Sequence, residues 1–244
     1  MIKCQYCGEI FPKLAKAHII PRSFYKAIRG DDKYSIEITI GESYKNEKIW
    51  QCGIHDSNIV CEECEKLFCE FDTHGYKVLS EALSQRNIWC DLNGHPCAYL
   101  IENADYHKLK LFFLSMLWRA HASTQFFWEH VSLGCHEPII RSHISEKIAP
   151  PYNEYETFMF NLSNKHYSNL IIPPWPQKIY DVSFYRFYLP EIMVLIKVDK
   201  LPLPDIFKSM VSNESRPHRL FLVDDNDFNT SEMRYIEKIK DLIL

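Results

Sequence analysis

Cys4-Gln5-Tyr6-Cys7 and Cys61-Glu62-Glu63-Cys64 decide how the first third of this chain is read. Two thiol pairs of CxxC spacing supply the four ligands that one tetrahedral zinc takes. Such a clip would tie two distant segments together. Between the pairs lies Ala17-His18-Ile19-Ile20-Pro21-Arg22-Ser23-Phe24, and the clip would fix its single histidine against them.

Outward from that frame, residues 1–12 read as a zinc knuckle opening a hairpin, with Gly8 suited to its tight turn. Residues 13–21 read as extended, since Pro21 biases Ile20 away from helix. Ser23 to Ile28 is expected as a short helix ended by Gly30-Asp31-Asp32. Tyr34 to Ile40 alternates as a strand does. Residues 41–57 read as loop, with Gly53 as a breaker. Asn58 to Cys61 is expected as a brief strand feeding a helix over roughly 61–73, which Gly75 ends or bends.

The remainder reads differently. Asn93-Gly94-His95-Pro96 marks a turn, and residues 107–120 read as a helix apolar all round, hence central. Further helices are expected near Phe126–Val131 and Pro138–Ile148. The stretch 151–223 is aromatic and β-branched but broken by prolines, with strands at Glu191–Val198 and Leu220–Val223. Met233, Ile236, Ile239 and Ile243 read as a closing amphipathic helix. The expected architecture is α+β, with one module at 1–76 and a second, mixed helical and stranded domain of unassigned role at 77–244.

The chain has 244 residues, 46% of them apolar, enough for a sizeable core. Its formal net charge of -4 argues against a generally nucleic-acid-binding surface, but charge is unevenly placed. Residues 1–30 carry six Lys or Arg against Glu9 alone, and residues 54–75 carry six acids against Lys66 alone. These are either solvated faces or a basic arm beside an acidic site, an arrangement suited to a phosphate substrate. Of nine cysteines, Cys52, Cys69, Cys90, Cys97 and Cys135 lack pair partners and read as small buried hydrophobes. No apolar run is long enough for a membrane span. The cysteine pattern, with no leader expected before Cys4, points to a reduced, cytoplasmic protein.

A histidine held in such a frame can deprotonate water, and a divalent cation can neutralise charge on a leaving phosphate oxygen. Ligands for that cation must come from the acidic segment, which offers Asp56, Glu65, Asp72 and His74. Arg22 and Lys26 are candidate phosphate contacts. Arg119, inside an apolar helix, reads as a buried ion pair with an acid, and Trp118 and His121 as packing residues.

Cys4-x2-Cys7, Ala17-His18-Ile19-Ile20-Pro21-x-Ser23-Phe24 and Asp56-x-Asn58-Ile59-x-Cys61-x2-Cys64 together resemble the HNH nucleases of ββα-metal fold. The resemblance covers residues 1–76. It implies a structural zinc on Cys4, Cys7, Cys61 and Cys64, and His18 as the general base of a DNA endonuclease. It places Asp56 where the family usually has asparagine, and Glu65 where a His or Asn usually binds the catalytic Mg or Mn. Ala17 stands where many members have an aspartate ligand. Asp72, in Phe71-Asp72-x-x-Gly75, would help hold the metal or orient His18. DNA is the implied substrate, with RNA as an alternative. A homodimer, or a partner protein in a genome-defence setting, follows by analogy only. The rival expectation is a zinc-stabilised nucleic-acid-binding or protein-interaction module without catalysis.

Overall fold

The protein is described by a computed structural model covering residues 1–29, 35–37, 48–50, 53–162 and 171–223. The expected helix end at Gly30, most of the Tyr34–Ile40 strand, Cys52, and the closing helix from Met233 lie outside these residues.

The N-terminal third is built of short pairs. Strand β1 (Ile2–Lys3) pairs antiparallel with β2 (Ile10–Phe11), and Gly8 takes a φ of +83° in the knuckle between them. Strand β3 (Ala17–His18) leads through Pro21 into helix α1 (Arg22–Arg29), which buries Phe24 and Tyr25 while exposing Arg22 and Lys26. Strands β4 (Ser35–Glu37) and β5 (Lys48–Trp50) form a second antiparallel pair. Strand β6 (His55–Asp56) then returns to lie antiparallel on β3. The stretch read as loop over 41–57 therefore contains strand. These strands are only two or three residues long, too short for alternation to be visible.

Helix α2 (Glu62–Gln85) starts one residue after Cys61, with Glu62, Glu63 and Glu65 in its first turn, where carboxylates favour the positive end of the helix dipole. No strand precedes it at 58–61. It runs 24 residues, well past Gly75. That glycine does not end the helix. A Cβ there would lie 2.4 Å from the Phe112 ring, so hydrogen is the only side chain the neighbouring helix allows. The expected boundary at residue 76 falls within α2. Gly75→Ala should accordingly lower stability despite alanine's better helix propensity. Overpacking costs about 1–3 kcal/mol, against a gain of about 1 kcal/mol, and a thermal melt reads the net loss.

Strands β7 (Ile88–Cys90) and β8 (Pro96–Ile101) flank the turn read at Asn93-Gly94, where Asp91 Oδ1 accepts from the Asn93 and His95 amides. Helix α3 (Tyr106–Ala122) is the buried helix expected at 107–120, and Asp105 caps it by accepting from the Lys108 amide. A single 3-10 turn (Phe126–Trp128) stands where a helix was expected, followed by α4 (His136–Glu146). Next come β9 (Thr157–Asn161), β10 (Ile172–Ile179), β11 (Val182–Leu189), β12 (Ile192–Lys197), the short helix α5 (Asp205–Lys208) and β13 (His218–Leu222). Among the described residues this sheet has seven strands in the order β10-β11-β12-β9-β13-β8-β7, antiparallel except where β13 runs parallel to β9. The architecture is thus α+β: an N-terminal cysteine cluster on short strands and helix, and a C-terminal mixed sheet with helices.

Pro173, Pro174 and Pro176 do not break the chain; they sit in β10, an edge strand whose register shifts between Ile172 and Trp175. An edge tolerates a residue that cannot donate. One core runs from Cys4 and Tyr6 through α2 and α3 to Leu220. Tyr6 stands edge-on to Phe68 and Trp118, with centroids 5.3 and 4.9 Å away, so the knuckle docks directly on both long helices. A smaller cluster of Phe158, Phe184, Leu195 and Phe207 packs separately.

Candidate metal centre and the histidine beside it

The two cysteine pairs converge. Cys4 arrives from β1 and Cys61 from the N-cap of α2, while Cys7 and Cys64 complete the group. All four Sγ atoms lie within 4.8 Å of one another. Cys4 and Cys64 sulfurs are 3.8 Å apart, and Cys7 and Cys61 4.0 Å. Sulfurs at the corners of a tetrahedron with metal bonds of about 2.3 Å would stand about 3.8 Å apart, so the spacing suits a metal at the centre. The Cys61 amide donates to Cys4 Sγ at 3.3 Å. Burial pushes the Cys4 thiol up, but the backbone amides of Cys7 and Cys61 outweigh it and bring the pKa down to about 7. Burial drives Cys64 in the opposite direction, further raised by the neighbouring cysteines. Four crowded thiols that cannot all ionise by themselves are what a cation resolves. The cluster is a potential metal-binding site, capable of coordinating one ion and consistent with a zinc-binding module.

Beside it, β3 and β6 carry the histidine. The register sets His18 opposite His55 and Ala17 opposite Asp56. Ring centroids of His18 and His55 are 5.6 Å apart, and Tyr25 lies 6.4 Å from His18. Strand alternation turns the next pair to the other face. There Ala17 and Asp56 are both fully buried. Asp56 Oδ2 accepts from the Ser123 and Thr124 hydroxyls and the Thr124 amide, and its Oδ1 accepts from the Asn58 amide. This carboxylate fastens the strand pair to the end of α3, on the side away from the imidazoles.

Glu65, on the first turn of α2, has its pKa raised by burial, against the opposing effects of Arg119 and of the nearby His18 backbone amide. Its Oε2 is buried and has no hydrogen-bond partner among the described residues. Asp72, two turns on, is held in a fork by Arg119 from α3, at 2.6 Å to Oδ1 and 2.9 Å to Oδ2. Arg119, itself fully buried, also donates to the His18 carbonyl at 2.6 Å. His18, Glu65, Asp72 and Arg119 thus form one network, in which Asp72 reaches His18 through the guanidinium. His74 points elsewhere. Its Nε2 accepts from the Asp105 amide at the start of α3, and burial holds its pKa below the usual imidazole value.

The expectation that the unpaired cysteines are buried does not hold for the four among the described residues. Cys69, Cys90 and Cys135 are exposed and Cys97 is half-buried; Cys69, four residues after Glu65 and three before Asp72 on α2, lies within electrostatic reach of both and of Arg119. Trp118 packs as expected, with its Nε1 donating to Glu137 at 2.8 Å. His55, Ser123 and Thr124 were not singled out from the sequence. Only pairing the strand before the second CxxC with the strand of His18 would have pointed to residue 55.

Among the described residues, no second set of three or more His, Cys, Asp or Glu ligand atoms gathers as closely as the four sulfurs. No described helix is long and apolar enough to cross a membrane. The chain gives no match to a protein-family model, a curated protein or a solved structure.

Proposed function

We propose that the N-terminal third is a zinc-stabilised module that binds nucleic acid, with DNA the expected partner. The four-sulfur cluster carries this reading. A zinc there ties β1, the strand pair and α2 into one rigid body, on which α1 presents Arg22 and Lys26 one turn apart and exposed. Lys3, Lys13 and Lys16 are exposed in the same third, and such side chains, by neutralising phosphates, supply sequence-independent affinity. Arg22→Glu with Lys26→Glu should weaken binding of a short duplex and flatten its salt dependence. The slope in log K against log salt falls by about 0.9 for each phosphate no longer neutralised. Unchanged binding of DNA and RNA, or none by the wild type, would leave protein interaction as the module's role.

A second reading, metal-dependent hydrolysis of the phosphodiester, is favoured by the placement of Glu65. Its buried Oε2 without a hydrogen bond is what a cation ligand looks like before the cation arrives. His18 would take the proton from water as its oxygen attacks phosphorus and the bond to the leaving oxygen breaks. Mg or Mn at Glu65 would supply charge neutralisation at that leaving oxygen. Asp72 and Arg119 would hold the His18 backbone in place, while the engagements of Asp56 and His74 argue for structural roles. His18→Ala should reduce Mg- or Mn-dependent plasmid nicking by about 10²–10⁴-fold with zinc content and melting temperature unchanged. A wild type that never nicks DNA with Mg, Mn or Ni supplied leaves the binding reading alone.

A further inference from the structure

A second cluster of buried charge, remote in sequence from the cysteine frame, lies where α3 meets the C-terminal sheet. A cleft of about 870 Å³ opens between α4, the segment before β9, the end of β12 and the α5 region. Tyr152, Glu156 and Val211 also border a small neighbouring cavity lined by Lys110, Tyr106 and His218.

The groups at this junction are unusual for a core. Lys197 is 3% exposed, its Nζ donating to the Asp199 carbonyl at 2.9 Å and standing 3.5 Å from Glu156 Oε2. Lys110 is 4% exposed and donates to the Pro151 carbonyl and the Tyr106 hydroxyl. Burial, only partly offset by Glu156 and Glu154, draws its pKa down to about 7. Glu156 is 6% exposed, yet its Oε2 has no hydrogen bond among the described residues, and neither has His218 Nε2. Buried polar atoms are almost always satisfied, and exceptions that border a cleft mark places where a ligand completes the set.

The rest of the cleft indicates what that ligand is. The Tyr152 ring, 56% exposed, offers a flat apolar face. Lys200, Lys208 and Arg216 line the same cleft with exposed cationic heads. A carboxylate oxygen that has an ion pair with Lys197 but no hydrogen bond, an aromatic face and three cations, of which Lys208 is also paired with the exposed Asp205, match a planar head with N–H groups joined to a phosphate. We propose that this cleft is a nucleotide-binding site, with the base at Tyr152 and Glu156 and the phosphate at Lys200, Lys208 and Arg216.

Titration of the full chain with AMP, GMP, CMP, UMP and, separately, inorganic phosphate tests this by calorimetry and thermal shift. At least one nucleotide should bind one per chain, tenfold or more tighter than phosphate. Glu156→Gln and the exposed pair Lys208→Glu with Arg216→Glu should each weaken it tenfold or more. Arg22→Glu with Lys26→Glu should leave it unchanged, separating this site from the N-terminal module. If Glu156→Gln lowers the melting temperature, the exposed pair decides. No binding at millimolar nucleotide, phosphate binding as tightly as any nucleotide, or wild-type affinity in the charge-reversed pair would overturn the proposal.

Discussion

Removing the metal should undo the N-terminal third. We expect one zinc per chain by elemental analysis, and a large loss of stability in Cys64→Ser or after a strong chelator. Structural zinc contributes on the order of 10–16 kcal/mol in small zinc modules at neutral pH. Here the clip joins residues about sixty apart in sequence, Cys4 to Cys64, and the strands it closes over are two or three residues long. Those strands have too few hydrogen bonds to hold the arrangement themselves. The knuckle also places Tyr6 against Phe68 and Trp118 and joins its hydroxyl to Ser145 at 2.7 Å, so its release exposes the faces of α2 and α3. Even a part of that energy, about 5 kcal/mol, corresponds to roughly 10–20 °C in a chain of this size. Melting with and without chelator is the measurement, and an unchanged melt with zinc demonstrably removed would refute the structural role.

Arg119→Ala should have the second largest effect. Arg119 is fully buried, forks Asp72 and donates to the His18 carbonyl. Truncating one partner leaves Asp72 without its counter-charge and the carbonyl without its donor, costing about 3–5 kcal/mol. Arg119→Lys should recover little, because a single ammonium cannot span both carboxylate oxygens and the carbonyl at once. Replacing both charges, Arg119→Met with Asp72→Leu, should restore much of the stability, since burying an ion pair carries a desolvation cost that apolar residues avoid. If the pair also positions His18, the double variant will be stable yet altered in nucleic-acid binding or nicking, a separation that a purely structural role would not produce. Denaturant melts of the four proteins, with binding measured on each, distinguish these outcomes.

Some of this was legible because its chemistry is local. The cysteine pairs announce themselves by spacing. The uninterrupted apolar face from Leu109 to Ala120 announces a central helix, and an arginine inside it requires an acid nearby. Other features were illegible because the deciding group lies elsewhere in the chain. The tight β10–β11 turn is made by Tyr180 and Asp181, both at positive φ, in place of the Asn-Gly that marks such turns. Prolines that read as breaks are accommodated because β10 is at the edge of the sheet among the described strands.

By itself, the sequence determined the thiol frame, the central helix and the placing of a histidine between two CxxC pairs, since each follows from residue type and spacing along a short stretch. Only the tertiary structure decided that Gly75 lies within α2, because Phe112 occupies the space a side chain would need. It likewise decided that Asp72 answers to Arg119, that Asp56 fastens β6 to the end of α3, and that His55 stands beside His18. Those partners come from segments 37 to 68 residues away, and no pattern along the chain encodes which carboxylate a distant guanidinium or hydroxyl will meet.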